Sequence, residues 1–111
     1  MYYIEKRIEI AGSHCLDLDY ESKCRNLHGH NWIVIVKCKS ETLDHNGMII
    51  DFTKIKELGN RLDHHNINDV VSFNPTAENL AKWFCDNIES CYEVSIQESE
   101  GNIAKYIKED V

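Results

Sequence analysis

The sequence predicts an α+β domain in which two helices pack on one face of an antiparallel sheet. Three observations support this class. Apolar residues alternate with polar ones near both ends of the chain, two amphipathic helical segments occupy its middle, and the elements follow the order strand, strand, helix, helix, strand, strand. The 111 residues are expected to form one domain over 1–111. Four short strands leave two sheet edges, which we expect other copies of the chain to cover.

The first two strands carry different patterns. Tyr2 to Ile10 alternates isoleucine with charged residues, which is typical of a half-buried strand. In NWIVIVKCK, residues 31–39, apolar side chains occupy both faces, so this strand is expected to be covered on both sides. Asn46 and Gly47 then predict a hairpin turn, because both central residues of that turn need positive φ.

Two helices and two more strands follow. Asp51 is placed to cap the first helix, whose apolar positions at spacings of three and four are Phe52, Ile55, Leu58 and Leu62. Pro75 suits the first turn of the second helix. The apolar stripe of that helix consists of Ala77, Leu80, Ala81, Phe84 and Ile88. The remaining strands are EVSIQES and NIAKYIK, with a turn at Gly101 and Asn102.

Composition and charge argue against several classes of function. Apolar residues make up 42% and charged residues 28% of the chain, as in ordinary soluble proteins. A formal charge of −7 disfavours non-specific nucleic-acid binding, which needs a basic face. No apolar run approaches a membrane span, and MYYIEKRIEI has charges where a signal peptide needs an apolar run. We therefore expect a cytoplasmic protein.

One of the cysteines differs from the others in its sequence surroundings. The chain has five cysteines, an odd number with no CxxC pair, so a disulfide framework is not expected. Four of them occupy apolar or strand-like surroundings and are expected to be small buried hydrophobes. Cys24 differs because it lies between Lys23 and Arg25, two cations that can also attract an anionic small ligand.

Three histidines form a candidate metal site. His28 and His30, in CRNLHGH, are two residues apart at the start of a strand and therefore share a face. His14 has the parity of Ile8 and Ile10 on the neighbouring strand, so it is expected to face the same way. Three neutral imidazoles with an open fourth position describe a catalytic zinc site. The alternative is that the HxH pattern only marks a polar strand start.

Asp63 and His64 form a second candidate group, near the end of the first helix. A carboxylate can orient an imidazole and stabilise its cation, which makes a proton relay. An ordinary helix-cap region would have the same residues. His45 and His65 are expected to be surface residues.

Glu98 is the third candidate, because it continues the apolar face of Val94 and Ile96. A buried carboxylate is costly unless it is partnered, and this one could accept two hydrogen bonds from an amidine-like ligand edge. The alternative is that the strand has already reached solvent at this position.

Five segments occur in an order that resembles the 6-pyruvoyltetrahydropterin synthase and 6-carboxytetrahydropterin synthase family. They cover nearly the whole chain and read CRNLHGHNW, GMIIDFTKIKEL, LDHHNIN, NPTAENLAKWF and VSIQES. The short spacing between Cys24 and HGH resembles the bacterial 6-carboxytetrahydropterin synthases of the queuosine pathway more than the animal 6-pyruvoyl enzymes. One departure is Ile10, where the family usually has phenylalanine.

The resemblance implies a tunnelling fold (T-fold) whose barrel is closed by oligomerisation, commonly a hexamer of two trimers with active sites at subunit interfaces. By motif it also implies roles for eight residues: Zn²⁺ ligation by His14, His28 and His30, proton transfer by Cys24, Asp63 and His64, and pterin binding by Glu98 and Thr76.

The function that the resemblance implies is a zinc-dependent lyase. Its substrate would be 7,8-dihydroneopterin triphosphate and its product 6-carboxy-5,6,7,8-tetrahydropterin, with loss of acetaldehyde and triphosphate. Charge alone suggests Lys23 and Arg25 for the triphosphate. The alternatives are a 6-pyruvoyltetrahydropterin synthase, a zinc hydrolase with Glu98 or Asp63 as base, and a non-catalytic domain stabilised by zinc.

Overall fold

The chain folds into a five-stranded sheet with two α-helices on one face, which confirms the predicted class and order of the main elements. The computed structural model describes residues 1–109, so the predicted domain end at Val111 lies outside the described residues. The elements are β1 (Tyr2–His14), β2 (His28–Ser40), α1 (Phe52–Asn60), β3 (His65–Asn66), α2 (Ala77–Asp86), β4 (Cys91–Ser99) and β5 (Asn102–Ile107). Short 3₁₀ helices occupy Lys23–Arg25 and Ile67–Asp69.

The sheet is built around a long antiparallel pair, β1 and β2. The two strands pair along their whole length, from Tyr2 opposite Ser40 to His14 opposite His28. The strand order is β3-β1-β2-β4-β5, and β3 is parallel to β1 while the other neighbours are antiparallel. The two-residue β3 was not predicted, because a strand this short carries no periodic signal.

One face of the sheet carries the core. Trp32, Val34 and Val36 are fully buried on it, as their shared parity in β2 predicts, and the helices cover them. On the opposite face, Ile33 and Ile35 are only half-buried. No helix covers that face within residues 1–109, so the expectation that β2 is covered on both sides is wrong for a single copy.

The helix predictions hold with three corrections. Leu62, predicted as an apolar position of the first helix, is buried but lies beyond Asn60, where α1 ends. Asp51 caps α1 by accepting a hydrogen bond from the Thr53 N–H at 2.9 Å, and the predicted apolar stripe of α2 is buried. Phe52, however, remains 47% exposed, because the first residue of α1 lies beyond the covered part of the sheet, near Lys6. Pro75 precedes α2 instead of forming its first turn, and Thr76 is the cap residue.

Both predicted turns differ from expectation in detail. The Asn46–Gly47 turn is local and has no flanking strands, and only Gly47 has positive φ, at 81°. The Asp44 side chain fixes it by accepting from the Asn46 N–H at 2.8 Å. The turn before β5 falls one residue earlier than predicted, because Gly101 with φ 81° ends it and Asn102 already belongs to the strand.

Among the described residues, all five cysteines are free thiols, as the odd count predicts. Cys38, Cys85 and Cys91 are buried, but Cys15 is only half-buried because it follows the last residue of β1. No helix within residues 1–109 is long and apolar enough to cross a membrane.

Thr76→Ala should lower the free energy of unfolding by about 1 kcal/mol, because the hydroxyl that caps α2 is lost. In the structure, Thr76 Oγ1 accepts a hydrogen bond from the Asn79 N–H at 3.1 Å. Thr76→Ser keeps an acceptor at this position and should retain most of that stability. Urea unfolding of both variants measures the difference, and an equal loss in the serine variant would argue against the capping role.

Candidate functional site

Three histidines meet at one end of the sheet, on the face that carries the core. His14 pairs directly with His28 across β1 and β2, and His30 lies two residues further along β2. The ring centroids are 4.6 Å apart for His14 and His28, 4.7 Å for His28 and His30, and 5.2 Å for His14 and His30. The antiparallel register therefore brings together the three side chains that the sequence pattern selected.

The hydrogen bonds of two of these rings leave their free nitrogens facing each other. His14 Nδ1 lies 2.8 Å from the carbonyl of Pro75, and His28 Nδ1 lies 2.6 Å from the carbonyl of Asn26. A carbonyl oxygen only accepts, so each Nδ1 carries the proton and each neutral ring has a lone pair on Nε2. Those two Nε2 atoms are 3.0 Å apart. Two opposed lone pairs fit a shared cation, and ring N–H donation to a carbonyl is how metal-bound histidines are usually oriented.

Burial favours the neutral form of two of the three rings, His14 and His30. Burial lowers the pKa of His14, and the hydrogen bond to Pro75 opposes this only in part. Burial also lowers the pKa of His30, against the opposing charge of Glu98. Metals bind the neutral ring, so both shifts favour ligation.

Glu98 completes a set of four possible metal ligands. It is the extra residue of a β-bulge, since Gln97 pairs with Ile103 while Ser99 pairs with Asn102. The Glu98 side chain is 24% exposed, and its Oε1 lies 3.3 Å from His30 Nε2. One ligand atom from each histidine and one from Glu98 all lie within 4.8 Å of one another. These four residues could hold a metal ion.

Asp63 and His64 are fixed on the edge of β1 rather than in a free helix end. Asp63 Oδ1 accepts from the Ala11 N–H at 2.8 Å, and the His64 N–H donates to the Ala11 carbonyl at 2.6 Å. His64 has the uncommon φ of 58°, which turns the chain from α1 into β3. Its Nε2 lies 3.7 Å from Asp63 Oδ2, while the His64 side chain is 82% exposed.

Cys24 lies in the loop that joins β1 to β2. Its carbonyl accepts from the Leu16 N–H at 2.8 Å, and its N–H donates to Ser22 Oγ at 3.2 Å. The residue is half-buried, and its neighbour Arg25 forms an ion pair with Glu21. Within residues 1–109, no hydrogen bond or ion pair joins Cys24 to the pair Asp63 and His64.

Two asparagines that sequence reasoning missed hold this loop. The Asn68 side chain bonds both the N–H and the carbonyl of Cys15, at 2.9 and 3.0 Å. The Asn74 side chain does the same for Asp17, at 2.9 and 3.0 Å. Each amide imitates a strand partner, so the start of the loop is tied to the segment between α1 and α2. No sequence signal indicates such long-range clamps.

An open cleft of about 770 Å³ lies beside the cluster. Its lining includes His30, His64 and Glu98, whereas Cys24 does not contribute to it. Glu98 also borders a second cleft of about 370 Å³, next to the start of α2. The hydroxyl of Thr76 is occupied by capping that helix. His45 and His65 are exposed, as expected.

The metal-free protein should lose stability as the pH falls below about 6.5, the ordinary pKa of histidine. The folded pKa of His14 is lower than this value, so the unfolded chain binds more protons in that range. The stability that the neutral His14 ring contributes is fully present above the pKa of histidine in the unfolded chain. It is lost as the pH falls toward the lower pKa of His14 in the folded protein. Urea unfolding of chelator-treated protein measures it. His14→Gln should flatten the profile, and identical profiles for the two proteins would contradict this origin.

Comparisons with known proteins agree on one family. The family model for 6-pyruvoyl tetrahydropterin synthase matches residues 3–109. The chain is 31% identical to a 6-carboxy-5,6,7,8-tetrahydropterin synthase of Synechocystis over 121 residues, covering 96% of this chain and 93% of that protein. It is 35% identical to a 6-pyruvoyl tetrahydrobiopterin synthase of Dictyostelium discoideum over 98 residues, covering 76% and 73%.

A solved structure shows the same architecture. The 6-pyruvoyl tetrahydropterin synthase of Caenorhabditis elegans superimposes with a TM-score of 0.76 at 26% identity, covering 97% of this chain and 96% of that one. This likeness confirms the predicted tunnelling fold.

Proposed function

Because the chain belongs to the 6-pyruvoyl tetrahydropterin synthase family, we propose that it is a zinc-dependent lyase acting on 7,8-dihydroneopterin triphosphate. The product is 6-carboxy-5,6,7,8-tetrahydropterin, and acetaldehyde and triphosphate are released. The observation that carries the proposal is the cluster of His14, His28, His30 and Glu98 on a chain whose relatives are named for pterin synthesis. The name of the Synechocystis relative and the spacing before HGH favour the carboxy product, in queuosine synthesis.

His14, His28 and His30 are the proposed zinc ligands. Nitrogen ligands suit zinc, and three histidines are a common catalytic set. When bound, zinc supplies Lewis-acid chemistry that makes protons near a coordinated oxygen easier to remove. The protein's contribution is to aim the rings, which the carbonyls of Pro75 and Asn26 do by accepting hydrogen bonds from Nδ1. Burial, in turn, favours the neutral form of His14 and His30.

Proton transfer is assigned to Cys24 and to the pair Asp63 and His64. Cys24 is the proposed base and acts through its thiolate, the reactive form of a cysteine. His64 is proposed to handle the complementary proton, with Asp63, whose Oδ2 lies 3.7 Å from His64 Nε2, as its partner in the proton relay. The 82% exposure of His64 leaves this ring free to meet a substrate or another subunit.

Glu98 is proposed to hold the pterin ring by paired hydrogen bonds to its amino and imino groups, with Thr76 beside it. A carboxylate binds such an edge with two parallel hydrogen bonds and so fixes the orientation of the substrate side chain. Thr76 Oγ1 accepts from the Asn79 N–H to cap α2, and the Thr76 N–H donates to the Asn74 carbonyl, so the proposed contribution of Thr76 is donation of its hydroxyl hydrogen.

The active site is proposed to form between copies of the chain, in a hexamer of two trimers. Within residues 1–109 of one copy, no hydrogen bond or ion pair joins Cys24 to His64, and Cys24 does not line the cleft that His64 lines. The outer edge of β5 and most of the outer edge of β1 are unpaired within residues 1–109. Pairing such edges would close a barrel and remove the open edges. We propose that the same assembly brings Cys24 of one copy to His64 of another. The assembly is proposed to act in the cytoplasm on a small molecule, without nucleic acid or membrane.

Mass spectrometry of the products tests the reaction. Zinc-loaded protein incubated with 7,8-dihydroneopterin triphosphate should yield carboxytetrahydropterin and acetaldehyde. Pyruvoyltetrahydropterin without acetaldehyde would support the second candidate, which the name of the Dictyostelium relative favours. Phosphate-ester hydrolysis that survives Cys24→Ala would indicate a zinc hydrolase instead. Unfolding on chelation without any turnover would indicate a non-catalytic zinc domain.

A further inference from the structure

We propose that, before substrate binds, the carboxylate of Glu98 is the fourth ligand of the metal held by His14, His28 and His30. We also infer that this carboxylate leaves the metal when a pterin ring arrives, and this second step rests on the proposed function. The site would then have a protein ligand in the position that three-histidine sites commonly leave to water.

The first support is the separation of the ligand atoms. Two ligands bound to one tetrahedral zinc at about 2.0–2.1 Å lie about 3.3 Å from each other. Glu98 Oε1 lies 3.3 Å from His30 Nε2, and all four ligand atoms lie within 4.8 Å of one another. The carboxylate is therefore at ligand distance from the histidine cluster.

The second support is that the close contact between Glu98 and His30 is not a hydrogen bond. His30 Nε2 is buried and has no hydrogen-bond partner, although the carboxylate oxygen is only 3.3 Å away. The distance would allow a hydrogen bond, so it is the orientation of the imidazole relative to the carboxylate that does not. This arrangement is expected when both point at a third atom between the ligands.

The third support is the charge balance of Glu98. Its side chain is 24% exposed, and within residues 1–109 its ion-pair contact is to His30, with no lysine or arginine at the carboxylate. A largely buried carboxylate without a cation is costly. A divalent metal supplies the missing positive charge, and the histidines alone, when neutral, do not.

The bulge in β4 explains how the carboxylate could exchange partners. Glu98 is the unpaired residue of the bulge, and bulges change the direction of a side chain without breaking the rest of the ladder. It borders both the cleft beside the histidines and the cleft near α2. A rotation of the Glu98 side chain can therefore move the carboxylate from the metal to a ligand bound in one of these clefts.

Metal binding alone tests the ligation. Glu98→Gln should weaken Zn²⁺ affinity, measured by competition with a chromophoric chelator, by at least about 10-fold, since even changes beyond the ligands themselves cost about 10- to 100-fold. Glu100→Gln removes a nearby exposed carboxylate from the same cleft and should leave the affinity unchanged. Equal affinities for the wild type and Glu98→Gln would overturn the proposal.

The visible spectrum of the Co²⁺-loaded protein separates ligation from a nearby charge. The wild-type spectrum should not change between about pH 6 and pH 9, because no metal-bound water is present to titrate near pH 7. Glu98→Gln should admit water and acquire that titration. A wild-type spectrum that titrates, or a variant that loses affinity without acquiring the titration, would overturn the proposal. If Glu98→Gln does not fold, the pH dependence of the wild-type spectrum still tests whether Glu98 binds the metal.

Adding pterin, whose ring carries no side-chain oxygens, tests the exchange. It should shift the wild-type Co²⁺ spectrum toward that of Glu98→Gln, because the ring removes the carboxylate from the metal. No shift in an enzyme that turns over the pterin triphosphate would overturn the exchange. If the proposed function fails, turnover is absent and pterin has no effect, but the difference in metal affinity between wild type and Glu98→Gln remains.

Discussion

Cys24→Ala should lower the turnover of 7,8-dihydroneopterin triphosphate by about 10²- to 10⁴-fold, the usual contribution of a positioned acid or base. Bound zinc should remain, because the cysteine belongs to the loop before β2 and not to the histidine cluster. Product formation and zinc content are measured on the same sample. Loss of zinc together with activity would assign Cys24 to metal binding, and full activity would exclude it as the base.

The same variant tests whether the site forms between subunits. Cys24→Ala and His64→Ala, each inactive alone, should recover activity when they are unfolded together and reassembled. If the two groups of one site come from different copies, random mixing in equal amounts leaves about one quarter of sites with both groups intact. Mixing Cys24→Ala with a variant that carries both substitutions is the control and should stay inactive. No recovery in the first mixture would mean that both groups act within one chain.

His28→Ala should abolish zinc binding and therefore turnover. Loss of a direct ligand is expected to exceed the roughly 10- to 100-fold effect of changes outside the ligand set. His28 is preferable to His14 for this test because it is partly exposed at the start of β2, whereas His14 is fully buried. The substitution should therefore remove the ligand while the sheet still forms. Metal analysis after dialysis measures the outcome.

His45→Ala is the matched control for that experiment. His45 is an exposed histidine in the turn after β2 and is not part of the metal-binding cluster. It should retain wild-type zinc content and turnover. If His28→Ala keeps its zinc, the ligand set is different from the one proposed, and the opposed lone pairs of His14 and His28 need another explanation.

The histidine cluster was predictable because it depends on local periodicity. Two residues two apart in a strand share a face, and the parity of His14 with Ile8 and Ile10 gives its direction. Only the pairing of β1 with β2 had to be assumed, and strands that follow each other in the chain commonly pair. The burial of Trp32, Val34 and Val36 followed from the same rule.

Glu98 shows the limit of that reasoning. Its parity with Ile96 predicted the face on which it lies, but not its approach to His30. That approach depends on the pairing of β4 with β2 and on a bulge that places one unpaired residue at the end of the ladder. A bulge depends on how two strands end relative to each other, and the sequence of one strand does not contain that information.

By itself, the sequence determined the order of the main elements, the inward face of β2 and the identity of the candidate ligands, because periodicity and cap chemistry are local properties of the chain. The tertiary structure decided what distant segments do together. It anchors Asp63 and His64 on Ala11, clamps the start of the Cys24 loop through Asn68 and Asn74, and brings Glu98 to the histidines. These contacts join residues far apart in the chain, and only the packing of the whole sheet and its helices fixes their distances.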